Sequence, residues 1–204
     1  MLRGALGLCL ALATVWQGQL PARTPAPPGL SWTDADSLSR KLRQISTHAR
    51  SSETSSRRDR VEVTESELNS YLNLTIASQM PEGVTDVAFR FDAGKLEARA
   101  MVDLERVRGQ APALGSWSPL AILGGNLAVE LKGRLFGDDG FGTLQLESLT
   151  VGSLPVPLSV LAGVVASSTQ TPKRPRGFDI FAPFRLPYSV KKVRLEPGRA
   201  WLEF

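Results

Sequence analysis

The sequence predicts an α+β domain: a curved antiparallel sheet of about six strands wrapped around a core helix, with a second, short apolar helix. Three observations predict it. Residues 95–105 (KLEARAMVDLE) alternate strictly, with Leu96, Ala98, Ala100, Val102 and Leu104 in one row and Lys95, Glu97, Arg99, Met101, Asp103 and Glu105 in the other. Such alternation makes a long strand with one dry face and one wet face. Similar period-two stretches occur in pairs joined by Gly-containing turns, the pattern of hairpins. Stretches of helical spacing separate these hairpins in blocks, which argues for α+β and against a parallel sheet.

The chain has 204 residues and a formal net charge of +4. After Met1–Arg3, residues 4–16 (GALGLCLALATVW) are apolar, too short a run to span a bilayer and suited to a secretory leader. Residues 1–22 read as a signal peptide, cleaved near Ala22, and export to the periplasm or beyond follows; an uncleaved membrane anchor is the alternative. Cys9, the only cysteine, lies inside this leader. The exported chain then has no thiol, which excludes disulfides, thiolate nucleophiles and cysteine metal sites.

Residues 23–60 read as a Pro-rich linker followed by a polar, basic helix and loop. Leu38, Leu42 and Ile45 fall at i, i+4 and i+7, and Asp34 and Asp36 sit where the helix dipole favours negative charge. Residues 61–204 read as the domain proper. Val61–Val63 is a short strand. Thr64 and Glu67 are spaced as a capping box, and the helix they open carries Leu68, Tyr71, Leu72, Thr75 and Ile76 on one face before Pro81 and Gly83 end it.

From Val84 the period changes to two. Val87, Phe89 and Phe91 lead through Asp92-Ala93-Gly94 into the long strand. In a second hairpin Leu127, Val129, Leu131 and Leu135 alternate with charged residues, Gly133 marks a bulge, residues 137–140 (GDDG) turn, and residues 142–151 return. Residues 158–167 (LSVLAGVVAS), apolar all round, form a buried helix. The last pair is Tyr188–Glu196 and Arg199–Phe204 across Pro197-Gly198.

Catalytic chemistry finds no foothold. His48 is the only histidine and has no carboxylate in a set relation to it. Asp138-Asp139-Gly140 is ordinary turn chemistry, short of the oxygen ligands a calcium loop needs. Gly124-Gly125 precedes a strand, not a helix, so it is no phosphate loop. No serine sits in Gly-x-Ser-x-Gly. Asn73-Leu74-Thr75 matches a glycosylation sequon but falls within the predicted helix, and reads as chance. A non-enzyme without metal or cofactor is expected.

Basic residues cluster between Arg40 and Arg60 and again at Lys173, Arg174 and Arg176. They suit peripheral contact with an anionic membrane surface, or a solvated tether. Interleaved aromatic residues are lacking, so nucleic acid is not expected. Residues 111–123 (APALGSWSPLAIL) are apolar and broken by proline and glycine. Trp117, Leu120 and Ile122 there are candidate membrane contacts; the alternative is a loop folded back on the sheet.

A short strand, the helix start at residues 63–72 (VTESELNSYL) and the long hairpins that follow resemble small bacterial envelope proteins related to the tubular lipid-binding (TULIP, BPI-like) superfamily. That resemblance implies a bent sheet around a helix, with a groove between them for lipid tails. The expected function is non-catalytic binding of a lipid or another long apolar ligand, with lipid transport as its use. Leu68, Leu72, Ile76, Phe89, Phe91, Leu96, Ala98, Ala100, Val102, Leu104, Leu127, Val129 and Leu131 would line the groove. The same residues could instead fill a closed core, which would make the protein a structural or interaction module of the envelope.

Overall fold

Period-two rows become strands that meet in one antiparallel sheet. The computed structural model describes residues 26–48, 60–106, 124–172 and 174–204. The leader, the basic stretch 49–59, Lys173 and the loop with Trp117, Leu120 and Ile122 lie outside the described residues. The strands are β1 (Arg60–Thr64), β2 (Val84–Asp92), β3 (Lys95–Asp103), β4 (Asn126–Asp138), β5 (Phe141–Val151), β6 (Leu154–Pro155), β7 (Phe184–Arg185), β8 (Lys192–Glu196) and β9 (Arg199–Glu203). Helix α1 spans Trp32–His48, α2 Glu65–Ser70 and α3 Leu158–Ser168. The architecture is α+β, with nine strands among the described residues, two of them only two residues long.

Strand order is β1-β9-β8-β4-β3-β2, with β5 on β4 and pairing β6 and β7. The thirteen-residue β4 is the hub. One edge pairs with β3 and then, at Gly137, with Val193 of β8; the other pairs with β5. The register sets Phe89 beside Ala98, Ala98 beside Leu131 and Leu131 beside Leu149, so one face is apolar across all four strands. The other face carries cross-strand ion pairs: Arg99 with Glu130, Arg134 with Glu147 at 2.8 Å and Arg199 with Glu62 at 3.0 Å.

Two glycines shape the hub. Gly133 sits at a bulge between β4 and β5, buried, where an added Cβ would lie 2.7 Å from the Gln145 carbonyl oxygen. At Gly137 a Cβ would lie 2.8 Å from that of Val193, so only glycine lets β8 come so close to β4. Asp139 and Gly140 both have positive φ, +48° and +77°, as the two-residue turn of a tight hairpin requires.

The apolar face is covered in two parts. Beside α3, Leu104, Leu149, Val151 and Val156 form a buried cluster with the half-buried Val102, Leu127, Val129, Leu131 and Leu161. No described side chain of residues 158–167 is itself buried, so this helix covers the cluster from the surface and is not the buried helix its apolar sequence predicts. At the other end Phe91, Leu195 and Ala200 cluster with Leu68, Phe89, Leu96, Leu135 and Val193, beneath α1 and α2.

Some boundaries differ from the sequence pattern. Strand β3 stops at Asp103, whose Oδ1 accepts the N–H groups of Glu105 and Arg106 and so begins a helical turn. Strand β8 starts at Lys192, not Tyr188, because Tyr188 and Ser189 hold left-handed φ values of +57° and +61° that no strand can contain. The helix after Thr64 keeps α geometry only to Ser70, then widens into a π turn over Tyr71–Thr75.

Replacing Gly133 by alanine should lower unfolding stability by about 1–3 kcal/mol, because the new methyl meets fixed backbone. Gly163→Ala, in α3 where nothing lies within 4 Å, should raise it by roughly 0.5–1 kcal/mol. Denaturant unfolding of the two variants checks the opposite signs.

Candidate functional site

Helix α2 is hung from the sheet's edge by its own side chains. Glu65, Asn69 and Asn73 stand four residues apart and meet Phe91, Phe89 and Val87, two residues apart on β2. Phe91 N–H donates to Glu65 Oε1. Phe89 N–H donates to Asn69 Oδ1 at 2.7 Å, and Asn69 Nδ2 donates to the Phe89 carbonyl at 3.0 Å. Asn73 repeats the exchange with Val87, at 3.1 Å and 2.6 Å. The spacings agree because four helical residues rise about 6 Å and two strand residues about 6.6 Å. The carboxamides thus imitate a neighbouring strand along an edge that would otherwise be open. Asn73, the sequon residue, is a member of this ladder.

Glu67 fastens α1 to the other side of α2. The capping box is present: Glu67 N–H donates to the Thr64 hydroxyl at 3.2 Å and Thr64 N–H to Glu67 Oε2 at 3.0 Å. The same buried carboxylate accepts the Ser37 hydroxyl at 2.6 Å and the Lys41 ammonium at 2.7 Å. Lys41 also reaches the Glu62 carbonyl at 2.7 Å. At the start of α1, Ser31 Oγ accepts Asp34 N–H while Ser31 N–H donates to the fully buried Ser70 hydroxyl. Ala35, Leu38 and Ile45 are buried by this docking. The helix that the sequence sets before the domain therefore roofs the apolar face.

Between the two helices and the sheet lies a half-open cavity of about 420 Å³, and no polar atom contributes to the surface of its wall. Leu38, Leu42 and Ile45 come from α1, and Leu68, Tyr71 and Leu72 from the α2 region. The floor is Phe89, Phe91, Leu96, Leu135, Val193, Leu195, Ala200 and Leu202. The rim is Leu186–Tyr188, where Tyr188 is 52 % exposed, and Val190 is buried behind it. On the far side of α2, a cleft of about 670 Å³ runs between Pro27–Leu30, Asn69, Asn73 and the bulged end of β2. Its wall mixes carboxylate, carboxamide and carbon, so it lacks the uniform apolar character of the first.

Of the residues expected to line a groove, Leu68, Leu72, Phe89, Phe91 and Leu96 are in the cavity wall. Val102, Leu104, Leu127, Val129 and Leu131 belong to the cluster beside α3. Ala98 and Ala100 lie on the same face, half-buried, in neither group. Ile76 follows the π turn, whose extra residue per turn rotates it off the row of Leu68 and Leu72. Sequence reasoning missed the wall residues of α1 and of the last hairpin, and the ladder. Polar residues at 65, 69 and 73 beside an apolar helix row were the available signal for the ladder.

Among the described residues, no three side chains of His, Cys, Asp or Glu gather as a metal-holding group. Asp138 instead pairs with Lys192 at 3.4 Å. Comparisons with protein-family models, curated proteins and solved structures find no match to this chain. Any class assigned to the protein therefore rests on the geometry of this cavity.

Burial acts to raise the carboxyl pKa of Glu67, but Lys41, the Ser37 hydroxyl and the Thr64 N–H together hold it below the ordinary 4.5. Its contribution to stability is complete above the unfolded value and is lost as the pH falls through that value toward the depressed folded one. Urea unfolding of Glu67→Gln should show a flatter loss of stability below about pH 4.5 than the parent protein.

Proposed function

We propose that this protein is a non-catalytic, exported carrier of a long apolar molecule such as a lipid tail, held between the sheet and the α1–α2 roof. In this reading the sheet curls about α2, as in the TULIP proteins that the strand, capped helix and hairpin order resembles. The observation that carries the proposal is the wholly apolar wall of the 420 Å³ cavity. Pockets for small ligands occupy roughly 300–1,000 Å³, and a few polar groups normally orient the guest. A wall without any such group suits a hydrocarbon chain, with its polar end left at the rim. Burial of that chain would supply about 25 cal/mol per Å².

The buried cluster beside α3 favours a division of labour. One half of the apolar face stabilises the fold by filling, and the other half keeps space. A structural module with no ligand is the competing reading, and it requires the second half to close as well.

Ala200 is buried in the cavity floor, so Ala200→Phe places a ring in the proposed ligand space. Titration of delipidated protein with a fluorescent fatty acid should show saturable uptake by the parent and at least about tenfold weaker uptake by Ala200→Phe, with the unfolding midpoint preserved. A closed interior predicts the reverse, no uptake by either protein and a loss of about 1–3 kcal/mol in the variant.

A further inference from the structure

We propose that the end of the sheet bearing the β4–β5 turn docks on an anionic bilayer and presents the cavity rim to it. The inference rests on the cavity being the ligand site; the docking surface itself is argued from other residues. Phe136 and Phe141 are 46 % and 47 % exposed on the sheet's polar face. The same face also carries ion pairs and the half-buried Trp201, which the Arg60 guanidinium covers at 4.0 Å, whereas Phe136 and Phe141 remain nearly half exposed. The register explains their neighbours. Phe141 lies opposite Arg185 of β7, whose guanidinium stands 5.4 Å from the ring centroid. On the other side, the pairing of Gly137 with Val193 sets Arg194 beside Phe136 and Lys192 beside Asp138.

Two apolar rings are thus flanked by Arg185, Lys192 and Arg194; of the two carboxylates in the turn itself, Asp138 is paired with Lys192 and Asp139 is exposed at the tip. Rings that enter the headgroup layer, ringed by cations that meet its phosphates, are the chemistry of an interfacial anchor. A protein partner would need matching carboxylates and an apolar pocket, whereas an anionic lipid surface supplies both partners as a continuum.

The same end carries the way into the cavity. Leu186 N–H donates to the Gly140 carbonyl at 2.9 Å, and Gly140 N–H donates to the Lys191 carbonyl at 2.9 Å. Both ends of the rim segment are therefore tied to the turn between the strands of Phe136 and Phe141. Docking the turn brings Tyr188 and the rim toward the lipid.

Sedimentation with vesicles of equal parts phosphatidylglycerol and phosphatidylcholine tests the proposal, with pure phosphatidylcholine vesicles as the comparison. The parent should bind the anionic vesicles, weaken as salt rises, and bind the neutral ones poorly. Phe136→Ser/Phe141→Ser should bind the anionic vesicles about tenfold or more weakly, while taking up fluorescent fatty acid in vesicle-free solution as the parent does. Equal binding to both vesicle types, or undiminished binding by the double variant, would overturn the docking surface. Loss of fatty-acid uptake by the parent with vesicle binding kept would overturn the cavity reading and leave the docking surface standing.

Discussion

Everything around the cavity depends on how α2 meets β2. A helix laid flat on a sheet normally sinks its apolar face into the strands until no space is left. Here three polar side chains on one stripe of α2 bond the edge of β2 instead. Carboxamides at Asn69 and Asn73 satisfy both backbone groups of Phe89 and Val87. Leaving those groups unpaired and buried would cost about 1–3 kcal/mol each. The helix is therefore held at the edge, with Leu68 and Leu72 leaning over the apolar face without filling it. The π turn at Tyr71–Thr75 belongs to the same device, since Asn73 lies within it and still reaches Val87.

Glu67 extends the constraint outward. Its carboxylate closes the cap of α2 and receives Ser37 and Lys41 from α1, so one buried acid orients two helices. A partly buried ion pair is a weak source of net stability; its effect here is geometric, since the Lys41 ammonium meets both the Glu67 carboxylate and the Glu62 carbonyl. Roof and floor are then joined by polar contacts at the margins and by apolar surface only at the centre. At the opposite end Leu158, Val160, Leu161 and Val164 of α3 pack against the buried cluster of Leu104, Leu149, Val151 and Val156.

Much of the fold was legible because strand alternation, turn glycines and helix caps are local. The Thr64–Glu67 cap, the Gly133 bulge and the Asp139-Gly140 turn all stand where the chain's own pattern puts them. What was illegible is non-local. Asn69 and Asn73 look like ordinary surface residues until β2 is known to be the edge. Leu38, Leu42 and Ile45 show a helix but not that Ser37 and Lys41 will dock it. Tyr188 continues an apparent strand pattern, and only its left-handed backbone, beside the clamp on Gly140, removes it to the rim. Of the residues that matter at the β4–β5 end, Phe136 could have been flagged, since it breaks a row otherwise made of Lys132, Arg134 and Asp138.

The central claim is that a dry apolar space persists under α1 and α2 in the folded protein. Methyl-resolved NMR under xenon pressure tests it most directly, since xenon enters empty apolar cavities and little else. Saturable shifts confined to methyls such as those of Leu68, Leu72, Leu96, Leu135, Val193 and Leu195, with those of Leu149 and Val151 unmoved, are the result expected. Shifts that are absent, or spread evenly over both halves of the sheet, would contradict the account.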